Sequence, residues 1–374
     1  MIEESTAFAV KRFCNYKIRI HSEIGNKIVL SIKEDEHFGE LSIYHEEAIF
    51  TFDYFNGDSD TITITSQSLF HFRFELTQED IEIKQFYMAE HLRPAFHERV
   101  KNSAGLRDYE SDYLPALFFG VWSDEALTTL RRNKSLKIII WSGGDINAAD
   151  YREAEVNERI FRNVGEIRKL SKVIHIGTSP FIQKSLDGFG FAHLKTPVCV
   201  MNFDLYRPIT KGDSIYIYTG VGGLESYYGF DMYDKVVEKY QDINFIFACC
   251  GASYEFIKST NYQFKYELKY YEREELIKKV YPQCFLALRL TVHDGIANTV
   301  QELGLMGIKC VHNGNGPSSL NYKTFEDICR HIDNERKTIG TCDEELATEV
   351  RRHLTLDPNF FNTGFYRRNV HTGT

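Results

Sequence analysis

The chain has no two cysteines at the C-x-x-C spacing of a structural zinc site or a dithiol redox motif. Its eight cysteines (Cys14, Cys199, Cys249, Cys250, Cys284, Cys310, Cys329 and Cys342) are scattered, and no metal site is expected. Several fall in apolar runs that read as buried strands, where a thiol behaves as a small hydrophobe; this usage fits a reducing, cytoplasmic compartment. Long apolar runs are also missing. Leu136 to Trp141, interrupted by Lys137, is among the longest, against the roughly 20 residues a bilayer span needs. The opening MIEESTAFAV is acidic and lacks an apolar core segment, so no signal peptide is expected. Basic charge is not in excess: the net charge of -9 argues against broad nucleic-acid affinity. A full G-x-G-x-x-G is absent as well. Neither Thr219 to Gly223 nor Ser142 to Asp145 meets that spacing, and no acid is clearly placed for a ribose, which counts against a dinucleotide-dependent oxidoreductase.

What is present is an ordinary globular composition on a long chain. With 374 residues, 43% apolar and 26% charged, two or three domains are expected. The 28 Phe and 22 Tyr suit a carbohydrate-handling surface and equally suit a large core.

The hydrophobic period changes along the chain. Tyr16 to His21, Lys27 to Ile32, Gly39 to Tyr44, Ala48 to Phe52, Thr61 to Thr65, Leu69 to Leu76 and Ile81 to Phe86 read as short strands, with turn signals at Gly25-Asn26 and Asn56-Gly57-Asp58. Residues 1–88 are therefore expected to form a β-rich module, of sandwich type. A polar helical connector near Met88 to Asn102 follows. Strands at Pro115 to Val121, Leu136 to Trp141, Val173 to Ile176 and Pro197 to Met201 then alternate with helices at Asp124 to Arg132, Glu155 to Leu170 and Pro180 to Leu186. This is one α/β domain, residues 89–207. A second, residues 208–374, opens with strand Ser214 to Tyr218 and the loop Thr219 to Gly223. It continues through helix Asp231 to Tyr240, strand Asn244 to Ala248 and helix Glu272 to Val280, and ends in terminal helices. Two parallel-sheet domains in tandem would leave a cleft between them.

The densest cluster of chemistry lies in LRLTVHDGIANTVQELGLMGIKCVHNG. Leu286 to Leu290 reads as a strand, His293 to Gly295 as a turn, Asn298 to Met306 as a helix closed by Gly307, and Ile308 to His312 as the next strand. Asp294 therefore precedes the helix and Glu302 lies about two turns along it. The first-turn amides of Ile296, Ala297, Asn298 and Thr299 would face the carboxyl end of the sheet, where a helix N-terminus favours phosphate. The same unit recurs in every doubly wound sheet, usually without a ligand. The polar crowding by Arg289, His293, Asp294, Asn298 and Thr299 is harder to attribute to packing.

The segments LPALFFGVWSDEALTTLRRNKSLKIIIWSGGDIN, VMNFDLYRP and ALRLTVHDGIANTVQELGLMGIKCVHNG resemble glycosyltransferases of the GT-B fold, of the retaining family 4 group. That group carries two acids separated by seven residues, here Asp294 and Glu302, where Asp replaces the more usual Glu. The resemblance covers about residues 110 to 320 and leaves the N-terminal module outside. It implies two Rossmann-like domains in tandem and metal-independent transfer of a sugar from a nucleotide diphosphate sugar, such as a UDP- or GDP-sugar, to a glycan acceptor hydroxyl with retention. It implies that Glu302 binds the ribose hydroxyls, that Asp294 lies beside the transferred sugar, and that Gly295 to Thr299 hold the diphosphate. The usual Arg and Lys pair after the first strand of the second domain is missing; the loop carries Gly220, Gly222 and Gly223, and Arg289 is the candidate substitute phosphate ligand, with a structural ion pair as its alternative.

On the acceptor side, Asp145 of the Trp141 to Asp145 turn is a candidate to orient a hydroxyl, with a plain tight turn as its alternative. His293, beside Asp294, is a third catalytic candidate, and His175 is a donor-sugar contact or a core histidine. Arg207 to Lys211 is the expected hinge. A nucleotide-sugar epimerase of the same fold and a non-catalytic glycan-binding protein stand as alternatives.

Overall fold

The computed structural model describes residues 2–9, 14–22, 28–33, 40–43, 47–54, 61–68 and 72–369, apart from 149–153, 200, 261 and 296. The Gly25-Asn26 and Asn56-Gly57-Asp58 turns lie outside the described residues.

Seven antiparallel strands form the N-terminal module: β1 (Ile2–Ala9), β2 (Cys14–Ser22), β3 (Ile28–Lys33), β4 (Glu40–Ile43), β5 (Glu47–Tyr54), β6 (Thr61–Ser68) and β7 (Phe72–Glu79). They pair as two sheets, β1-β6-β3-β4 and β5-β2-β7. Strand β1 precedes the alternation noted in the sequence. The strand expected at Ile81 to Phe86 is instead β8 (Gln85–Met88), all four residues buried, and it pairs in parallel with a strand of the next domain. Burial of all four residues, the polar Gln85 included, is the mark of an inner parallel strand. The parallel sheet therefore already begins within the segment assigned to the β-rich module.

The first α/β domain runs β8, α1 (Arg93–Ala104), β9 (Arg107–Asp108), β10 (Ala116–Phe119), α2 (Asp124–Arg132), β11 (Lys137–Ile140), α3 (Ala154–Ile167), β12 (Val173–Gly177), α4 (Pro180–Gly188) and β13 (His193–Lys195). Its sheet order is β13-β12-β11-β10-β8-β9. Helix α2 shows why the local pattern is legible: Ser123 accepts from the amide of Ala126 at 3.2 Å, acids fill the first turn, arginines fill the last, and Ala126, Leu127 and Leu130 face the core. The last strand is His193–Lys195, not Pro197 to Met201; Pro197 has no N–H to donate to a ladder.

The second domain contains β14 (Ser214–Thr219), α5 (Phe230–Lys239), β15 (Phe245–Cys249), α6 (Gly251–Thr260), β16 (Leu268–Lys269), α7 (Arg273–Glu275), β17 (Cys284–Leu288), α8 (Asn298–Leu305), β18 (Lys309–Val311), β19 (Ser319–Leu320), α9 (Phe325–Glu335), α10 (Glu344–Leu354) and α11 (Thr363–Asn369). Its order, β16-β15-β14-β17-β18-β19, is the doubly wound order 3-2-1-4-5-6 of a Rossmann-like sheet. Just past the C-cap of α8, Gly307 has φ +83° and would place a Cβ 2.8 Å from the Asp343 carbonyl oxygen, so only glycine fits. The expected α/β architecture of two Rossmann-like domains after a β-rich module is the one observed.

The last described helix, α11, packs on the first domain, not the second. The amide of Ile83 donates to the Phe361 carbonyl at 2.7 Å, and that of Thr363 to Ile81 at 2.9 Å. Phe360 and Tyr366 are buried in the first domain's core beside Phe86 and Ile138. At the expected hinge, Lys211 is buried and fixed: its amide donates to Thr341 and its ammonium lies 3.5 Å from Glu335.

Candidate functional site

In the second sheet the chain order reverses between β14 and β17, and a doubly wound sheet opens a ligand crevice at such a reversal, beyond the carboxyl ends of the strands. The loop after β14 carries Gly220 to Gly223 and the loop after β17 carries Arg289 to Gly295, so the two segments singled out in the sequence meet there. Helix α8 begins at Asn298 with Ala297 at its N-cap and no side chain capping it. Its first turn, including Asn298 and buried Thr299, therefore has a free helix-dipole end.

Arg289 and Asp294 form a close ion pair across this loop. The guanidinium also lies 4.6 Å from the centre of the Tyr218 ring, and the carboxylate has Thr291 Oγ1 and His312 Nε2 at 3.5 Å. Burial pushes the Asp294 carboxyl pKa up. The Arg289 charge and His312 outweigh it and hold the group well below the usual carboxylate range. Asp294 is thus an anion with a fixed counter-ion.

The first domain closes against this loop. Gly295 packs on the Ser142 carbonyl so closely that a Cβ would overlap it, and Gly143 faces Gly295 in turn. Ser179, the N-cap of α4, donates its hydroxyl to the Asp294 carbonyl at 3.1 Å. His293 is buried between the domains, its ring 5.1 Å from Tyr227 and 6.1 Å from Phe181. Burial lowers its pKa, with Asp294 opposing.

Three expectations change once partners are counted. The Glu302 carboxylate is held by protein groups on both oxygens. Oε1 accepts from Tyr206 at 3.1 Å and lies 3.0 Å from Arg273; Oε2 accepts from Tyr281 at 2.9 Å. Arg99 of α1 approaches to 3.7 Å from the first domain. With 3% of the residue exposed, burial raises its pKa despite these donors. Asp145 is likewise occupied: Oδ1 accepts from the amides of Ser142 and Gly143, and Oδ2 from Val121, so it builds the turn instead of orienting an acceptor. In the glycine loop, the amides of Gly222 and Gly223 donate to the two oxygens of Glu225 at 3.1 and 2.9 Å. A protein carboxylate thereby fills the place expected for phosphate oxygens. Gly220 serves packing, because a Cβ there would strike the Tyr228 ring.

His175 is a core residue, accepting from Trp141 Nε1 at 3.2 Å and stacked on Phe191; burial, then His193, lowers its pKa to about 3. Sequence reasoning did not single out His312, Ser179, Tyr218, Gln301 or Glu225. Only His312 carried a usable signal, as the polar end of the strand after the acid-bearing helix. Among the described residues no group of three or more His, Cys, Asp or Glu could hold a metal ion, and no helix is long and apolar enough to cross a membrane.

No protein-family model matches the chain, and comparison with curated proteins gives no match. Among solved structures, TarM is 12% identical with a TM-score of 0.45, over 68% of this chain and 54% of TarM. The chain thus spans about half the length of TarM. Sucrose-phosphate synthase from Thermosynechococcus elongatus is 10% identical with a TM-score of 0.46, over 73% of this chain and 94% of that one. A GtfA/B complex bound to UDP and GlcNAc is 10% identical with a TM-score of 0.27, over 80% of this chain and 61% of that one.

Proposed function

We propose that the protein is a retaining glycosyltransferase that moves a sugar from a nucleotide diphosphate sugar to an acceptor hydroxyl of a glycan. The observation that carries this reading is the β14/β17 reversal, where Arg289 and the uncapped N-terminus of α8 stand at one crevice facing the first domain. A helix N-terminus and a guanidinium together offset diphosphate charge without a cation. As the anomeric bond loosens, negative charge grows on the departing diphosphate, and the same groups stabilise it. Asp294, anionic and beside Gly295, faces the transferred sugar. The leaving phosphate itself takes the acceptor's proton. The Ser142–Gly295 contact excludes water and limits hydrolysis.

Glu302 acts in this scheme as a positioning residue, tying Arg99 of the first domain to Tyr206, Tyr281 and Arg273. For Gly222 and Gly223 to grip phosphate, the Glu225 carboxylate must swing away. Incubation with UDP-, GDP- and dTDP-sugars and a panel of glycosides, followed by NMR of the anomeric proton, tests the reading. Transfer with retention supports it; inversion contradicts the retaining assignment. Turnover of donor without acceptor would favour an epimerase.

A second reading has its own observation. Glu302, Asp145, Gly222 and Gly223 are all satisfied by the protein itself, as expected if the fold binds glycan without transferring sugar. Nucleotide-independent glycan binding with no turnover would select it.

A further inference from the structure

The loop after β14 already holds an anion, and that anion belongs to the chain itself. The amides of Gly222 and Gly223 converge on one carboxylate, donating to Oε1 and Oε2 of Glu225 at 3.1 and 2.9 Å. The Tyr262 hydroxyl also donates to Oε1, at 2.9 Å. Burial pushes the Glu225 carboxyl pKa up, but the loop amides and Tyr262 outweigh it and hold the group below the usual carboxylate range. Glu225 is therefore an anion seated on two successive amides, an arrangement that elsewhere binds phosphate oxygens.

The seat is shaped by groups other than its occupant. Helix α6 supports the loop: the Val221 amide donates to the buried Ser253 hydroxyl at 3.2 Å, and a Cβ on Gly222 would meet the Phe256 ring at 3.1 Å. Gly222 and Gly223 take φ values of +80° and +90°, which glycine adopts without strain. Both glycines are exposed, so water satisfies their amides when the carboxylate leaves. The turn does not depend on Glu225 for its shape.

We propose that Glu225 is an internal competitor for the glycine-loop amides, setting an affinity threshold that keeps free orthophosphate out and admits a diphosphate anchored elsewhere at the same time. The inference rests on the nucleotide-sugar reading above. A carboxylate tethered so near its donors competes at an effective concentration on the order of millimolar or more. Every anion that takes the seat meets the same cost of displacing it. Orthophosphate gains only the two amides in return, and its binding falls away. A nucleotide diphosphate also gains Arg289 and the first turn of α8 across the β14/β17 reversal, and keeps enough affinity to enter.

The test is calorimetric titration of the full chain with inorganic phosphate, UDP, UDP-glucose and UDP-N-acetylglucosamine. Glu225→Ala empties the seat, Tyr262→Phe loosens its occupant, and Glu255→Ala removes an exposed charge from α6 as a control for net charge. Glu225→Ala should bind phosphate roughly tenfold or more tightly than wild type, with UDP gaining by a similar factor. Tyr262→Phe should shift both in the same direction by roughly threefold, and it keeps the test decisive if Glu225→Ala does not fold. Glu255→Ala should show no gain. If phosphate gains in Glu225→Ala while no nucleotide or nucleotide sugar binds any form, the donor reading falls and the role of Glu225 stands. If a nucleotide sugar binds all four proteins equally and phosphate gains nothing, the donor reading stands and the role of Glu225 falls. Unchanged or weaker phosphate binding in Glu225→Ala, an equal gain in Glu255→Ala, or no anion binding by any form overturns the proposal.

Discussion

The α-carbon of Gly295 rests against the carbonyl oxygen of Ser142, one on each Rossmann-like domain. No side chain can enter that contact without parting the domains or shifting a main chain. Gly295→Ala is expected to cost about 1–3 kcal/mol, the usual range for overpacking. Because the clash is with backbone, the domains should also open, and small-angle scattering should show a larger radius of gyration. An unchanged radius and melting temperature would mean that the contact yields locally.

Arg289 and Asp294 form a pair whose halves are unequal in consequence. Removing the guanidinium in Arg289→Met leaves a buried carboxylate without its main partner, and about 3–5 kcal/mol of stability should be lost. Asp294→Asn should cost less at neutral pH. The pH dependence has a defined sign: the folded pKa of Asp294 is depressed, so its stabilisation is complete above the ordinary carboxylate value of about 3.9 and is lost as pH falls below it. Acid titration monitored by circular dichroism should show wild type losing stability more steeply than Asp294→Asn below about pH 4.

Glu302 distinguishes a nucleotide ligand from a domain tie. Glu302→Ala strands the hydroxyls of Tyr206 and Tyr281 and the Arg273 guanidinium, and should cost about 3 kcal/mol or more. Glu302→Gln retains an acceptor and should be milder, with donor affinity changed less than about threefold (roughly 0.7 kcal/mol). A Glu302→Gln protein that melts normally yet binds donor tenfold more weakly would restore the ribose role implied by the family resemblance.

Lys137 is a buried cation on an inner strand, its ammonium donating at 3.0 Å to the carbonyls of Asn133 and Ser135. Burial, then Lys172 and Lys134, lowers its pKa to about 7. The unfolded chain keeps that proton up to about pH 10.4. Folding stability therefore carries the full penalty below about pH 7 and rises as pH climbs between the two values. Thermal melts of Lys137→Met should show higher midpoints than wild type near pH 6, with the difference shrinking toward pH 10.

Much of this was legible in the sequence because the signals were local. Ser123 before Asp124 and Glu125 marks the start of α2, and Gly307 marks the end of α8. The β17–α8–β18 unit follows from apolar period alone. Partners were not legible. Nothing near Glu302 in the chain announces Tyr206, Tyr281 or Arg99, which lie 21 to 203 positions away. The Glu225 carboxylate over the Gly222 and Gly223 amides is set by a turn whose shape the glycines permit but do not dictate. The sheet that β8 joins is not written in its sequence, because a short buried run reads alike in antiparallel and parallel settings.

The central claim, that the β14/β17 crevice binds a nucleotide diphosphate sugar, is tested most directly by calorimetric titration of the full chain with UDP- and GDP-sugars at low and high salt. One-to-one binding to at least one of them, weakening as salt rises because the ligand is a diphosphate held by Arg289 and the α8 N-terminus, is the predicted result. No heat of binding with any nucleotide sugar at either salt concentration would contradict it.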